Sequence, residues 1–136
     1  MSTIEPLDEE YLFQGRVIVS ETDLKGNIVF ANRKFCEISG YTKDELVGKP
    51  HNMIRHPDMP RVAFEKMWTT IKDGQIWQGF VKNLRKDGKF YWVETEVLPI
   101  KDSNDQITGY VAARRVATRK EIEEATETYR LMKEKE

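Results

Sequence analysis

Hydrophobic and polar residues alternate along the second half of the chain in a pattern typical of strands that turn one face to a core. Three such stretches are present, at residues 77–85, 89–100 and 106–116. The Asp87-Gly88 pair between the first two is a strong hairpin signal. Shorter apolar runs at 17–22 and 28–31 flank turn residues at 23–27. The pattern predicts one antiparallel sheet made of two early strands and three late ones.

The segment between these two groups of strands has helical spacing. An apolar stripe recurs at intervals of three and four residues, at Phe64, Met67, Trp68 and Ile71. It predicts a helix from about residue 60 to 72. Shorter helices are expected at 33–39, with Asn32 as N-cap, and after Thr42, which forms a capping box with Glu45. The predicted fold class is α+β, with a five-stranded antiparallel sheet and short helices on one face.

The C-terminal stretch predicts an amphipathic helix that starts at a second capping box, formed by Thr118 and Glu121. A heptad-like seam follows at Ile122, Ala125, Tyr129 and Met132. The seam suits a helix packed on its own domain or a short coiled-coil connector. The chain is thus divided into an N-terminal cap segment (1–16), a main domain (17–117) and a C-terminal connector helix (118–136).

Alternation also assigns residues to the two faces of the sheet. Trp77, Gly79 and Asn83 share the face that turns to the helices, and Gly79 leaves a gap there. The opposite face carries Trp92 beside two glutamates. A tryptophan on this face predicts a cover, either a terminal helix, the N-terminal segment or a second subunit. A homodimer through Trp92 or through the C-terminal helix is therefore an expectation.

Composition excludes several classes of protein. The chain has 136 residues, a formal net charge of −1 and one cysteine, Cys36. Interspersed charges argue against binding to nucleic acid or to an anionic membrane. No apolar run reaches the length of a membrane span and no signal peptide is evident, so a cytoplasmic domain is expected. Cys36 is expected to be a small, inert core residue.

The run from His51 to Pro60 concentrates the candidate chemistry. It holds both histidines, His51 and His56, and two prolines that are expected to keep it extended. Its polar groups must be solvated, cap neighbouring elements or bind a ligand. A metal site is disfavoured, because no cysteine or third histidine joins the histidines and Asp58.

Several motifs resemble those of PAS domains, and most closely those of bacterial aerotaxis and energy-taxis receptors. They are Asp23-Leu24-Lys25-Gly26, Ala31-Asn32, Ser39-Gly40-Tyr41, the run from Gly48 to Pro60, Phe64 to Trp68, Gly74 to Trp77, Val81-Lys82-Asn83, and Asp87-Gly88 with Tyr91-Trp92-Val93. The resemblance covers about residues 17–118. It implies a PAS sensor domain that holds FAD non-covalently and reports its redox state to a chemoreceptor signalling region or another output partner.

The resemblance also implies where the flavin sits, between the helices and the inner face of the sheet. The positions that match the family's ligand pocket are Asn32, Arg55, His56, Asp58, Trp77, Asn83 and, from its place on the last strand, Arg114. Trp68 belongs first to the helical core and second to the pocket. Trp77 suits the ring, Asn83 its uracil-like edge, and Arg55 with His56 the pyrophosphate.

Each assignment has a structural alternative. Asn32 and Asp58 suit helix caps, Arg55 with Asp58 suits an ion pair, and Trp77 suits plain core packing. Light-sensing flavin domains of the LOV type require a cysteine at a place that corresponds to the vicinity of His51, where this chain has none. A cysteinyl photoadduct is therefore not expected.

The function expected from the resemblance is redox sensing without enzymatic activity. The alternative is a PAS interaction or dimerisation module that binds haem, another small ligand or none. A flavoenzyme is disfavoured, because no nucleophile–base pair and no nicotinamide-binding glycine motif is evident.

Overall fold

A computed structural model, which describes residues 4–15 and 17–136, contains one five-stranded antiparallel sheet. The strands are β1 (Ile18–Thr22), β2 (Ile28–Ala31), β3 (Trp77–Leu84), β4 (Phe90–Lys101) and β5 (Ile107–Val116). Their order across the sheet is β2-β1-β5-β4-β3. The α+β prediction with five antiparallel strands is confirmed. The order brings β1 and β4 to either side of β5, so that early and late strands share one inner face.

Helices cover that inner face. They are α1 (Arg33–Ser39), α2 (Lys43–Leu46), a 3₁₀ turn (His51–Ile54) and α3 (Arg61–Lys72). Asn32 caps α1 by accepting from the Phe35 N–H, and Thr42 with Glu45 forms the expected capping box of α2. These local signals work as predicted because each needs only residues within one turn of the chain.

The run between α2 and α3 differs from the extended conformation expected of it. Its first part, His51–Ile54, forms the 3₁₀ turn, and only the residues after it are irregular. The prolines at 57 and 60 restrict the residues directly before them, which leaves His51 and its neighbours free to turn. The turn directs the His51 ring toward the sheet, where it contacts Ser20.

The outer face of the sheet is covered in part by α4 (Arg119–Glu134). Trp92 is 4% exposed and packs in a cluster with Ile122 and Ala125 of this helix. Its indole stacks with Tyr129 at 6.3 Å between ring centroids. The heptad-like seam thus packs on its own domain. Of the covers predicted for Trp92, the structure shows the C-terminal helix. Because this helix buries the indole, Trp92 is not available for the predicted dimer contact.

The free edge of the sheet at β3 is also covered. The Tyr129 hydroxyl donates to the Phe80 carbonyl at 2.7 Å, and the His56 N–H donates to the Lys82 carbonyl at 3.2 Å. The Met59 sulfur accepts from the Lys82 N–H at 3.4 Å. Backbone groups that an edge strand would leave unpaired therefore have side-chain or loop partners.

The described part of the N-terminal segment forms a cap without a helix. The Tyr11 N–H donates to the Phe90 carbonyl at 2.7 Å, and Phe13 meets the Tyr91 ring edge-on at 5.9 Å. The segment thereby covers the end of the core beside the β3–β4 hairpin. The predicted cap extends over residues 1–16, of which 1–3 and 16 lie outside the described residues.

None of the helices in the described ranges combines the length and the apolar character needed to cross a membrane.

Candidate functional site

A cavity of about 270 Å³ lies between the inner face of the sheet and the helices. The strands contribute Ser20, Thr22, Trp77, Val81, Asn83, Thr95, Val97, Tyr110, Ala112 and Arg114, and the helical side contributes Ile54, Arg55, Phe64, Met67, Trp68 and Ile71. The remaining lining residues are Lys25, Gly26, Pro50, His51 and Asn52. Pro50, Asn52 and Lys25 are exposed, so the cavity opens to solvent beside them.

Three polar side chains meet in the wall of this cavity. Arg114 on β5 donates from Nη2 to the Ser20 hydroxyl at 2.7 Å, and the same nitrogen lies 2.6 Å from His51 Nε2. The Ser20 hydroxyl and His51 Nε2 are 3.1 Å apart. The β1–β5 register creates this meeting, because Ala112 lies opposite Ser20 and Arg114 follows it on the same face. We call Ser20, His51 and Arg114 the polar triad.

The triad carries one positive charge on Arg114. Two effects lower the pKa of His51 to about 3: burial of the ring, which is the larger, and the positive charge of the nearby Arg114. His51 is therefore neutral near pH 7, and its Nε2 accepts a hydrogen bond from Arg114. Burial also lowers the pKa of Arg114 to about 10. Arg114 remains protonated near pH 7, so the triad pairs a cation with two neutral acceptors.

Buried donors without a protein partner indicate that the cavity is adapted to a ligand. Arg114 Nη1, Arg55 Nε and Thr95 Oγ1 are buried and make no hydrogen bond, and all three residues line the cavity. Leaving such groups unpaired costs free energy unless a ligand or water accepts from them. The lining has three cationic side chains, on Lys25, Arg55 and Arg114, and no Asp or Glu among the described residues. The cavity is suited to a ligand rich in acceptors.

Arg55 connects the cavity to the edge of the sheet. Its guanidinium lies 3.7 Å from the centre of the Phe64 ring. Its backbone forms an isolated antiparallel bridge with Asn83, whose side chain also lines the cavity. Burial lowers the pKa of Arg55, yet a guanidinium stays charged near pH 7. The Arg55 cation is thus held at the cavity wall by stacking on Phe64, and its Nε has no hydrogen-bond partner.

The structure brings five of the predicted site residues together around the cavity: Arg55, Trp68, Trp77, Asn83 and Arg114. Trp68 contacts the Tyr110 ring edge-on at 5.6 Å and also belongs to the core, as its helical position suggested. Trp77 likewise packs against core residues. These side chains come from α3, β3 and β5, and from the segment after the 3₁₀ turn.

The other three predicted residues lie away from the lining. Asn32 donates to the Val17 carbonyl and caps α1. His56 accepts from the Asp58 N–H at 3.0 Å, and its ring meets Phe90 edge-on. Asp58 pairs with Lys82 at 2.8 Å rather than with Arg55, and α3 begins at Arg61 with Pro60 as N-cap and no side-chain cap hydrogen bond. The chain after Arg55 therefore turns away from the cavity and runs along the free edge of β3.

The gap expected at Gly79 is filled by a neighbouring side chain. A Cβ atom at position 79 would lie 2.5 Å from Cη2 and Cζ2 of Trp77. The two residues share a face of β3, so the indole folds along its own strand. Gly79 therefore positions Trp77 and does not itself leave free space.

Sequence reasoning missed Ser20 and Thr95 and considered His51 only for a metal. Ser20 is fully buried and Thr95 is 5% exposed. A serine at an inward position of an apolar strand was the available signal, because a buried hydroxyl needs a partner. The partner, Arg114, is 94 residues away along the chain, and only the strand order shows that they meet.

Comparisons with known proteins agree with this architecture. The family described as PAS fold matches residues 28–114. The aerotaxis receptor of Escherichia coli is 46% identical over 115 residues, which are 85% of this chain and 22% of the receptor. A nitrogen fixation regulatory protein of Klebsiella oxytoca is 31% identical over 102 residues, 75% of this chain and 21% of that protein.

A solved light-oxygen-voltage domain, studied with a flavin analogue, superposes with a TM-score of 0.74. It is 19% identical and covers 82% of this chain and 84% of that one. At this identity the likeness concerns the fold. The chain spans about a fifth of the length of the two curated relatives.

Proposed function

The chain belongs to the PAS family, and on that premise we propose that its cavity binds FAD non-covalently and that the redox state of the flavin is the signal it reports. The domain is similar to parts of receptors and regulators. We propose a chemotaxis-type receptor region or another cytoplasmic output protein as its partner. The domain itself then carries no catalytic activity of its own. The observation that carries the proposal is the set of unpartnered buried donors around an aromatic cavity.

The residues present fit a flavin ring. Trp77, Phe64 and Tyr110 supply flat aromatic contact, and Val81 with Val97 supplies apolar contact. Asn83 both donates and accepts, which suits a ring edge that alternates carbonyl and N–H groups. Arg114 Nη1 and Thr95 Oγ1 supply further unpaired donors. A cavity of about 270 Å³ is near the lower limit of small-molecule sites, so the ring would be enclosed and the rest of a dinucleotide would lie toward the opening.

Two cationic side chains of the lining suit the phosphates of a dinucleotide. Arg55 and Lys25 line the cavity, and Lys25 is exposed. A guanidinium binds phosphate oxygens in a bidentate manner, whereas an ammonium acts as a point charge. Arg55 therefore suits the pyrophosphate, as the resemblance implies. The His56 ring lies outside the cavity lining and would support Arg55 only through the backbone.

A flavin supplies reversible storage of electrons, and the residues of the chain would sense the change in charge. Arg114 would stabilise negative charge on a bound ring, because it is a buried cation without a carboxylate partner among the described residues. Asn83 can exchange the donor and acceptor ends of its amide when the proton on the ring changes. Asn83 also bridges to Arg55, whose loop reaches the C-terminal helix where Lys133 donates to the Pro57 carbonyl at 2.6 Å. This is a continuous route from the cavity to α4.

The test is an absorption spectrum of the purified protein, followed by release and identification of the chromophore. The expected result is a flavin spectrum, with FAD rather than FMN in the released fraction, that bleaches reversibly on titration with a reductant. A Soret band would assign the same cavity to haem and overturn the proposal. A colourless protein that does not take up added FAD would also overturn it and favour an interaction module.

A further inference from the structure

Ser20 is the smallest side chain of the polar triad. Its side chain is fully buried on β1. Its hydroxyl accepts from Arg114 Nη2 at 2.7 Å and lies 3.1 Å from His51 Nε2. A buried hydroxyl that contacts both other members of the polar triad fixes their relative positions.

His51 provides the second anchor of Arg114. Its ring stacks on Phe35, with 5.7 Å between centroids and 17° between planes. This contact fixes the imidazole while Nε2 accepts from Arg114 Nη2 at 2.6 Å. Since Nε2 accepts, the proton of the neutral ring is on Nδ1.

Ser20 and His51 both accept hydrogen bonds from the same guanidinium nitrogen of Arg114, Nη2. A terminal guanidinium nitrogen carries two N–H donors, so Ser20 and His51 together use those of Nη2. Nη1 keeps both of its donors and is buried without a partner. The side chain is 3% exposed and lines the cavity. The position of Nη1 relative to any ligand is therefore set by the two acceptors on Nη2.

We propose that Ser20 is a positioning residue that, together with His51, holds Arg114 so that Nη1 donates to an electron-rich atom of the ligand ring. The inference rests on the proposed flavin function. Donation from a cation stabilises the reduced ring more than the oxidised ring, because reduction adds electron density there. Ser20 then favours reduction by keeping Nη1 within hydrogen-bond distance of the ring.

The test compares Ser20→Ala with Ser39→Ala and Ser20→Thr. Ser39 is also fully buried, but its hydroxyl bonds within the α1 C-terminus, to the Cys36 carbonyl and the Tyr41 N–H. Each flavin-loaded protein is equilibrated with a reference dye at fixed potential. We expect Ser20→Ala to lower the reduced-to-oxidised ratio by roughly three- to tenfold, the worth of one hydrogen bond. Ser39→Ala should stay near the wild-type ratio, and Ser20→Thr should restore most of it. A Ser20→Ala ratio equal to that of Ser39→Ala would overturn the inference.

A second measurement separates this inference from the flavin proposal. Rotation of the Arg114 guanidinium is followed by ¹⁵N NMR in the protein stripped of ligand, in wild type and in Ser20→Ala. Faster rotation in Ser20→Ala supports the anchoring whether or not flavin binds. Unchanged rotation overturns the anchoring. Failure of the wild type to bind flavin overturns the proposed function instead, and with it the effect of Ser20 on reduction.

Discussion

The Trp77 indole lies so close over Gly79 that a Cβ atom at position 79 would come within 2.5 Å of the ring. Both residues belong to β3 and face the cavity side of the sheet. Close contact along one strand fixes the plane of an aromatic wall. The orientation of Trp77 therefore depends on the absence of a side chain two residues away.

We expect Gly79→Ala to displace Trp77, to reduce flavin occupancy and to destabilise the domain by about 1–3 kcal/mol, the usual cost of an overpacked contact. Flavin absorbance per protein and denaturant unfolding measure the two effects. The control is a double-mutant cycle with Trp77→Ala, in which the second substitution removes the clashing ring. If the two substitutions are additive, the contact does not position the indole.

We expect Trp77→Ala alone to abolish flavin retention in a domain that still folds, because a wall of the cavity is lost. Circular dichroism checks the fold, and absorbance after gel filtration checks retention. Normal flavin occupancy in folded Trp77→Ala would exclude the proposed placement of the ring.

Arg55→Ala should weaken flavin binding by roughly tenfold to a hundredfold, since a hydrogen bond to a charged group contributes about 1.5–3 kcal/mol. Arg61→Ala is the matched control, because the Arg61 side chain is 77% exposed and lies just beyond the same loop. Fluorescence titration of the ligand-free proteins with FAD gives both affinities. Equal losses in the two variants would show that overall charge, rather than the cavity contact, controls binding.

Stability should depend on pH through His51. Burial holds the pKa of this ring at about 3, against about 6.5 in an unfolded chain, so the unfolded state binds the extra proton between these values. The free energy of unfolding contributed by neutral His51 is fully present above pH 6.5 and is lost as the pH falls toward 3. The slope is at most about 1.4 kcal/mol per pH unit.

His51→Asn removes this titration, so its unfolding free energy should fall less steeply than that of the wild type between pH 7 and pH 4. Urea unfolding at several pH values, in the same ligand state, supplies the comparison. The slopes matter here rather than the absolute stabilities, because the substitution also disturbs Arg114. Parallel curves for the two proteins would mean that His51 is not held neutral.

Docking of α4 should depend on Tyr129. Tyr129→Ala removes the stacking on Trp92 and the hydrogen bond to the Phe80 carbonyl, which we expect to cost about 2–3 kcal/mol. Trp92 should become more accessible to fluorescence quenchers. Arg130→Ala, in the adjacent exposed position, should change neither property. Unchanged quenching in Tyr129→Ala would show that α4 is held by other contacts.

Much of the fold follows from local signals in the sequence. Strand alternation assigned Trp77, Asn83 and Trp92 to their faces, and capping residues located the starts of α1, α2 and α4. These features depend on neighbours within a few positions. The direction of the loop after Arg55 was not predictable in this way, because it depends on the His56 N–H meeting the Lys82 carbonyl of the edge strand.

The candidate site was predicted less completely than the fold. Strand alternation placed Asn83 on the inner face, where it lines the cavity. The family resemblance alone indicated Arg114, which lines the cavity, and His56 and Asp58, which lie outside it. Ser20 could not be assigned because its partners come from β5 and the 3₁₀ turn. A polar cluster assembled from distant segments has no periodicity in the chain, and it becomes visible only when the strand order is known.

The coverage of the β3 edge has a consequence for self-association. An uncovered edge strand can recruit a strand of another molecule and begin open-ended aggregation. Here the Tyr129 hydroxyl bonds the Phe80 carbonyl of β3, and the loop residues His56 and Met59 bond the Lys82 carbonyl and N–H. The C-terminal helix and the loop beside β3 therefore also protect the colloidal stability of the domain, and any excursion that frees α4 from β3 would uncover the Phe80 carbonyl of this edge.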